Sequence, residues 1–473
     1  MITLELRYAP SLPGAASGAN LHVIQRWPIF ACAPMLPAMS ERPSRKPLGF
    51  WACWSLTVGV MVGSGVFMLP AVLAPYGLLS FGGWLITGGG SILLALVLGR
   101  LASRTTRTGG PYVYAHDAFG DLIGFLVAWG YWASYWIAIP AVAIAFVGYL
   151  AVFVPALSGN AVLQAMTALT LIWTLTLIAI RGVRESALMQ IATTLLKLVP
   201  LAAIIALGFA AGSADNLPAV NPSGGPVLSV LAATALLTMW AFAGLEAGVV
   251  PADSVADCKR TMPRAVVLGT VFVTLIYILA TAAVMLLVPA GSLATSTSPF
   301  ADAARGFGAW GPPLIAAGAL MATAGTLNGC IFIAGQLPMA VALDRLAPAA
   351  LARRNRGSSP YVSLLIAATL SSLLLLTNYT RGLVGAFTFL AMMSTLATLA
   401  PLAVSMVAEL RHSWRSARGW AGVALLAGLY SLFAIVGSGF EVIGWGLVLL
   451  IAGLPFYYLG RRRAATPAVG AAD

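Results

Sequence analysis

Long apolar runs dominate this chain, and each is long enough to cross a membrane as a helix. About 20 apolar residues span the hydrocarbon core of a bilayer, and the sequence holds twelve such runs. Their ranges are 48–74, 80–102, 122–154, 160–180, 187–209, 227–250, 265–288, 312–340, 361–377, 383–407, 418–436 and 442–459. The runs are continuous rather than alternating, so they predict an all-α polytopic membrane protein and exclude a transmembrane β-barrel.

The basic residues predict how these helices are oriented. Lys and Arg lie in every second connection and at both ends, whereas the alternate connections hold only Arg305 and Arg381. The positive-inside rule therefore predicts an even number of spans in a plasma (bacterial inner) membrane, with both termini cytoplasmic. The composition agrees, with 60% hydrophobic residues, 8% charged residues and a mean hydropathy of +0.93. The net charge of +12 then reflects topology, so nucleic acid is not an expected partner.

Three segments follow from the same pattern. Residues 1–45 are rich in Pro and Ala without a clear period, which predicts a disordered cytoplasmic N-terminus with Met39 as a possible alternative start. Residues 46–460 form the predicted transmembrane domain, and residues 461–473 a cytoplasmic tail. Four cysteines and three histidines are scattered without metal-ligand spacing, so neither a metal site nor a cofactor is predicted.

The first apolar run is interrupted halfway by Gly63-Ser64-Gly65. Glycine weakens a helix, and a serine hydroxyl can bond to freed backbone groups. Broken backbone is tolerated in hydrocarbon only where it is buried in protein or lines a polar cavity. The motif therefore predicts a binding site on a discontinuous helix, as in many transporters. The alternative is close packing of helices through small residues.

The sixth run repeats this arrangement five spans later. Gly244 and Gly248 interrupt it and Pro251 follows, as Pro70 follows the first interruption. Paired interruptions in two halves indicate an inverted repeat, because five is odd and the second half enters the membrane in the opposite direction. Freed N–H groups would bind a carboxylate and freed carbonyls an ammonium group. The sequence therefore favours a site for a zwitterionic α-amino acid.

Two charged residues lie deep inside the predicted spans, Lys197 in the fifth and Glu246 in the sixth. Burying an ionised side chain at that depth costs at least ~3 kcal/mol, and such residues are usually functional. Both can exchange protons, so both are candidates for proton coupling. The structural alternatives are snorkelling of Lys197 to an interface and a neutral, hydrogen-bonded Glu246 that ties helices together.

Six motifs lie between about residues 45 and 460: Gly63-Ser64-Gly65-Val66-Phe67, Gly109-Gly110-Pro111-Tyr112-Val113-Tyr114, the Trp240…Glu246 segment, Ser298-Pro299-Phe300, Ala334-Gly335-Gln336 and Val436-Gly437-Ser438-Gly439. Together they resemble the amino acid–polyamine–organocation superfamily. The chain is most similar to the basic amino acid/polyamine antiporters, including the arginine/agmatine antiporter type. This resemblance implies about 12 transmembrane helices in a 5+5 inverted repeat of the leucine-transporter type, with two further C-terminal helices. It also implies a possible homodimer.

The resemblance also implies roles for individual residues. Gly63, Ser64 and Gly65 match the carboxylate-binding break, while Met61, Ala243 and Gly244 match positions that hold the amine. Trp240 matches an aromatic gate, Glu246 an acid linked to proton sensitivity, and Lys197 the fifth-helix lysine that stands in for sodium in proton-coupled relatives. Pocket positions that depart from the arginine antiporter are Val60, Ser134, Tyr135, Ile139, Cys330 and Leu402.

The sequence thus predicts a secondary amino acid transporter, a proton-coupled permease or antiporter with alternating access around a midplane site, and no enzymatic activity. Its expected partners are an amino acid or amine substrate, protons and the lipid bilayer. With Val60, Ile139 and Cys330 in the inferred pocket, a neutral or modestly polar substrate is favoured. The alternatives are a basic amino acid or polyamine exchanger and, from another class, a transporter-like amino acid sensor.

Overall fold

Helices are the regular elements of the part of the chain that the structure describes. The structure, a computed structural model, describes residues 49–104, 110–181, 187–245, 258–355 and 359–464, and across these ranges it contains no β-strand. The prediction of an all-helical protein is therefore confirmed for the described residues. In chain order the α-helices are α1 (Phe50–Met61), α2 (Ser64–Leu73), α3 (Ser80–Ala102), α4 (Pro111–Phe119), α5 (Asp121–Leu150), α6 (Ala161–Arg181), α7 (Ala187–Ala211), α8 (Val227–Met239), α9 (Cys258–Leu287), α10 (Ala290–Leu293), α11 (Pro299–Ala303), α12 (Gly311–Leu343), α13 (Tyr361–Asn378), α14 (Gly382–Ser413), α15 (Arg418–Val436) and α16 (Gly439–Ala464).

The outer surface of this helical assembly is apolar. Among the described residues, eight helical stretches are long and apolar enough to cross a membrane. Large apolar side chains face outward, with Phe440 95% exposed, Leu228 70% and Leu85 67%. Exposed apolar surface on this scale is covered by lipid rather than water. The chain is an integral membrane protein, whereas the count of twelve spans and the inverted repeat stay predictions.

Most helix ends fall close to the predicted limits. Helices α3 and α15 coincide with the runs 80–102 and 418–436. Helix α5 begins within one residue of the run 122–154 but ends at Leu150, and a turn leads from there to Pro155. The predicted N-terminal segment 1–45 and most of the tail 461–473 lie outside the described residues.

Small and hydroxyl-bearing residues let the helices near the first break approach closely. Helix α1 packs against α7 and α9, while α3 packs against α8 and α9. A Cβ on Gly83 would lie 2.5 Å from Thr234 Oγ1, and one on Gly88 would lie 2.4 Å from the Thr274 methyl. The hydroxyl of Thr87 donates to Ala235 O at 2.9 Å. Glycine contacts and interhelical hydrogen bonds of this kind hold membrane helices together.

Candidate functional site

The first predicted break is a gap between two short helices. Helix α1 ends at Met61, Val62 is extended, and Gly63 adopts φ −141° and ψ −145° before α2 begins at Ser64. A Cβ on Gly63 would lie 2.4 Å from Thr326 Oγ1 on α12. The gap is therefore pressed against α12 so closely that a larger residue at position 63 would have to displace Thr326.

The start of α2 offers backbone donors in a buried place. The first N–H groups of any helix have no partner within it, and Gly63 at the N-cap has no side chain to supply one. Ser64, the first residue of α2, is only 2% exposed. Unpaired N–H groups and the positive end of the helix dipole favour an anion such as a carboxylate.

Two carbonyls at the end of α1 receive side-chain donors from other helices. Lys197 Nζ on α7 lies 3.2 Å from Gly59 O, and the hydroxyl of Tyr277 on α9 donates to Met61 O at 2.7 Å. A Cβ on Gly325 of α12 would lie 3.6 Å from the same Lys197 Nζ. The lysine, 8% exposed, therefore stands between α1 and α12 beside the break.

The second predicted break follows α8. The chain tightens into a 3-10 turn over Trp240–Phe242, Ala243 turns to an extended ψ of 130°, and Gly244 takes a left-handed φ of 98°. Only glycine adopts such a φ readily, which accounts for its presence here. Glu246 and Gly248, the next predicted residues, lie outside the described residues.

The two breaks are in contact with each other. A Cβ on Gly65 would lie 2.8 Å from Ala241 Cα and 3.2 Å from Trp240 Cδ1. The Tyr277 hydroxyl that bonds to Met61 O also lies 3.1 Å from Ala241 O. The start of α2 and the carbonyls of Met61 and Ala241 therefore lie beside one another.

The other residues predicted for the site are Trp240 in the second break, Ser134 on α5, Cys330 on α12 and Val60 on α1. The Trp240 ring, 6% exposed, meets Phe387 of α14 edge-on at 6.0 Å. Cys330 follows Thr326 by four residues and thus shares its face of α12. Ser134 is buried. Its hydroxyl donates to Tyr131 O within α5, and its carbonyl accepts from the Ser394 hydroxyl on α14. The side chain of Val60 lies outside the described part of the chain.

The close approach of the two breaks makes a direct prediction for Gly65. In Gly65→Ala the new methyl would press on backbone of the second break, and overpacking of this kind costs ~1–3 kcal/mol. Because the two breaks would have to move apart, we expect the exchange rate to fall by about tenfold. The Gly89→Ala variant on α3 is the control, since a Cβ there meets nothing within 4 Å. Exchange in proteoliposomes measures both, and equal activity in the two variants would contradict the prediction.

The sequence did not single out Tyr277, Thr326 or Phe387. Each sits in an apolar run without a charge or a break beside it. The one available signal was weak, since a tyrosine in a membrane span needs a partner for its hydroxyl.

The family model described as amino acid permease matches residues 48–459. The cadaverine/lysine antiporter of Escherichia coli (strain K12) is 30% identical over 433 residues, covering 88% of this chain and 95% of the relative. The arginine/ornithine antiporter of Pseudomonas aeruginosa is 33% identical over 334 residues, covering 68% of this chain and 69% of the relative.

These matches confirm the resemblance inferred from the helix breaks, and they agree with the apolar helical architecture. The family match runs from just before α1 into α16, so it includes both breaks and the described residues between them. The chain belongs to the amino acid permease family, within the amino acid–polyamine–organocation superfamily and its group of basic amino acid antiporters.

Proposed function

We propose that this protein is a secondary amino acid antiporter of the bacterial inner membrane that binds the α-amino acid moiety between its two broken helices. The convergence of the start of α2 with the carbonyl-bearing ends of both breaks carries this proposal. Twelve spans, a 5+5 inverted repeat, cytoplasmic termini and alternating access around this site complete it. The match to an amino acid permease family supports the same activity.

In this site, the N–H groups at Ser64 and Gly65 bind the substrate carboxylate. The ammonium group binds carbonyls at Met61, Ala243 and Gly244, where the backbone leaves its helical course. Trp240, already packed edge-on against Phe387, closes over the bound substrate. Backbone recognition of this kind selects α-amino acids and leaves the side chain to the pocket wall.

The pocket wall favours a substrate with a neutral or modestly polar side chain. Ile139 is 1% exposed, Leu402 is fully buried, and Cys330 and Ser134 are uncharged. A second candidate substrate class is a basic amino acid or diamine, with Glu246 as its counter-charge. The names of the two antiporters reported above favour this second class.

Protons couple to this exchange through Lys197, with Glu246 as the competing proton carrier. The position of the Lys197 ammonium beside Gly59 O supports the first assignment. A positive charge there stabilises one arrangement of α1 against α12, so its loss shifts the equilibrium between states. The homodimer implied by the family resemblance forms part of the same proposal.

The deciding experiment is exchange in proteoliposomes with a competition panel. Purified protein is reconstituted with radiolabelled leucine or lysine inside, and unlabelled leucine, alanine, arginine, ornithine, cadaverine or putrescine is added outside. Efflux driven by external leucine or alanine is expected. If arginine, ornithine or a diamine drives efflux and neutral amino acids do not, the second substrate class replaces the first. Binding without any exchange would identify an amino acid sensor and overturn the antiporter.

A further inference from the structure

The hydroxyl of Tyr277 on α9 reaches the backbone of both breaks. Its hydroxyl donates to Met61 O at 2.7 Å and lies 3.1 Å from Ala241 O. These acceptors precede Tyr277 by 216 and 36 residues in the sequence. A single phenolic proton is thus shared between the last turn of α1 and the 3-10 turn after α8.

The ring of Tyr277 is held firmly enough to fix that hydroxyl. The residue is fully buried, and its ring packs at 5.3 Å from Trp84 on α3 and at 5.6 Å, edge-on, from Phe242 of the second break. Aromatic pairs at these distances are attractive beyond the area that they bury. The hydroxyl is therefore positioned by packing on two sides rather than by its hydrogen bonds alone.

We propose that Tyr277 is a positioning residue for the substrate ammonium group: it fixes the direction of the Met61 carbonyl, which binds the ammonium group, and through Ala241 O it holds the turn that leads to Ala243 and Gly244. This rests on the function proposed above. A carbonyl oxygen has two lone pairs, so Met61 O can accept from Tyr277 and still face an ammonium donor. Tyr277 does not contact the substrate; it acts through the backbone of the two breaks.

The test is Tyr277→Phe, which removes the hydroxyl and keeps the ring. Its matched control is Tyr149→Phe, because Tyr149 is also fully buried and donates to a carbonyl of the first broken helix, Phe67 O at 2.8 Å, but away from the break. The probes are two pairs that differ in the α-ammonium group, leucine with isocaproate and lysine with ε-aminocaproate. Inhibition constants are measured against the exchange of the best labelled amino acid.

Wild-type protein is expected to prefer each amino acid over its deaminated partner, and Tyr277→Phe to lower that preference about tenfold, the effect of one well-placed hydrogen bond in a buried site. Tyr149→Phe should leave the preference unchanged. A purely structural role would lower the melting temperature of both variants without altering the preference. An unchanged preference in Tyr277→Phe overturns the proposal.

Two further measurements separate the possible failures. If wild-type protein neither exchanges amino acids nor is thermally stabilised by them, the proposed function fails and the role of Tyr277 fails with it. If wild-type protein exchanges and Tyr277→Phe does not fold, Tyr277 is replaced by para-aminophenylalanine, whose amino group carries a donor at the position of the phenolic hydroxyl. A preference close to wild type in that variant supports the positioning role, and a low preference overturns it.

Discussion

Replacing Lys197 by methionine is expected to abolish accumulation driven by a pH gradient while leaving exchange at equal pH largely intact. The measurement is uptake into proteoliposomes with an imposed pH gradient, set beside exchange with the same labelled amino acid at equal pH. A coupling free energy of ~1–3 kcal/mol, typical between linked sites, corresponds to a loss of roughly 5- to 150-fold. Sodium-free medium is used throughout, because a sodium requirement would remove the proton mechanism.

The physical reason lies in where the ammonium group stands. Lys197 is 8% exposed and its Nζ bonds to Gly59 O, close to Gly325 on α12. A protonated lysine there places a positive charge between α1 and α12, whereas methionine fills similar space without charge. Without the lysine, the two states of the transporter no longer differ in proton affinity at this position. A proton can shift the equilibrium between two states only through such a difference, so the gradient no longer drives accumulation.

Two companion variants make this result specific. Leu198→Met introduces the same side chain at the adjacent position of α7 and should keep gradient-driven accumulation. Glu246→Gln tests the competing proton carrier in the same assay. Full accumulation by Lys197→Met would rule out Lys197 as the coupling site, and its loss in Glu246→Gln alone would transfer the role to Glu246.

Replacing Glu409 by glutamine is expected to destabilise the folded protein by about 3 kcal/mol, the lower end of the cost of breaking a buried ion pair. The carboxylate of Glu409 on α14 is fully buried, and Arg100 Nε and Arg104 Nη1 lie 2.8 Å and 2.6 Å from its two oxygens. The arginine side chains keep 23% and 29% exposure, which places the cost at the lower end. Thermal unfolding in detergent, followed by tryptophan fluorescence, measures the change.

The surroundings of Glu409 strengthen this expectation. The Ser413 hydroxyl donates to one carboxylate oxygen, and the Arg100 guanidinium lies 4.5 Å from the Trp420 ring centre on α15. Burial lowers the pKa of the Arg104 guanidinium from its ordinary value, and the charge of Glu409 opposes that shift. Glutamine would keep the shape but leave two arginines facing each other without the opposing charge.

The control is Glu441→Gln at an exposed pair. Arg381 Nη2 lies 3.1 Å from Glu441 Oε1, and the side chains are 45% and 59% exposed. Exposed pairs contribute between about 0 and 1 kcal/mol, so this variant should melt almost as the wild type does. Equal losses in the two glutamine variants would contradict the role assigned to burial at Glu409.

The sequence predicted those features of the site that depend on a few neighbouring residues. The Gly63-Ser64-Gly65 interruption lies where α1 gives way to α2, and the isolated Lys197 lies beside it. Such signals are visible because glycine pairs and charges are rare within apolar runs. The end of α3 was visible because Ser103 and Arg104 follow it, and the limits of α15 because it lies between Ser416 and Ser438.

Other features depend on contacts between distant parts of the chain, which composition does not encode. Tyr277 is one of 13 tyrosines, and only the packing of α9 against α1 gives it two backbone acceptors. Glu409 lies near the end of an apolar run and therefore resembled an ordinary solvent-exposed acid, whereas the structure buries it completely. Burial of a helix-end acid follows from which helices become neighbours.

The long sequence separation between Glu409 and its two arginines has a consequence for folding during synthesis. Glu409 follows Arg100 by 309 residues and Arg104 by 305. Membrane helices are inserted as they are made, and basic residues bias the orientation of a helix far more than acidic residues do. Arg100 and Arg104 can therefore help to orient α3 long before the ribosome has made α14. The same two guanidinium groups act first as a topology signal and later as partners of Glu409. A nascent chain that stops before α14 therefore has the signal but lacks the two ion pairs.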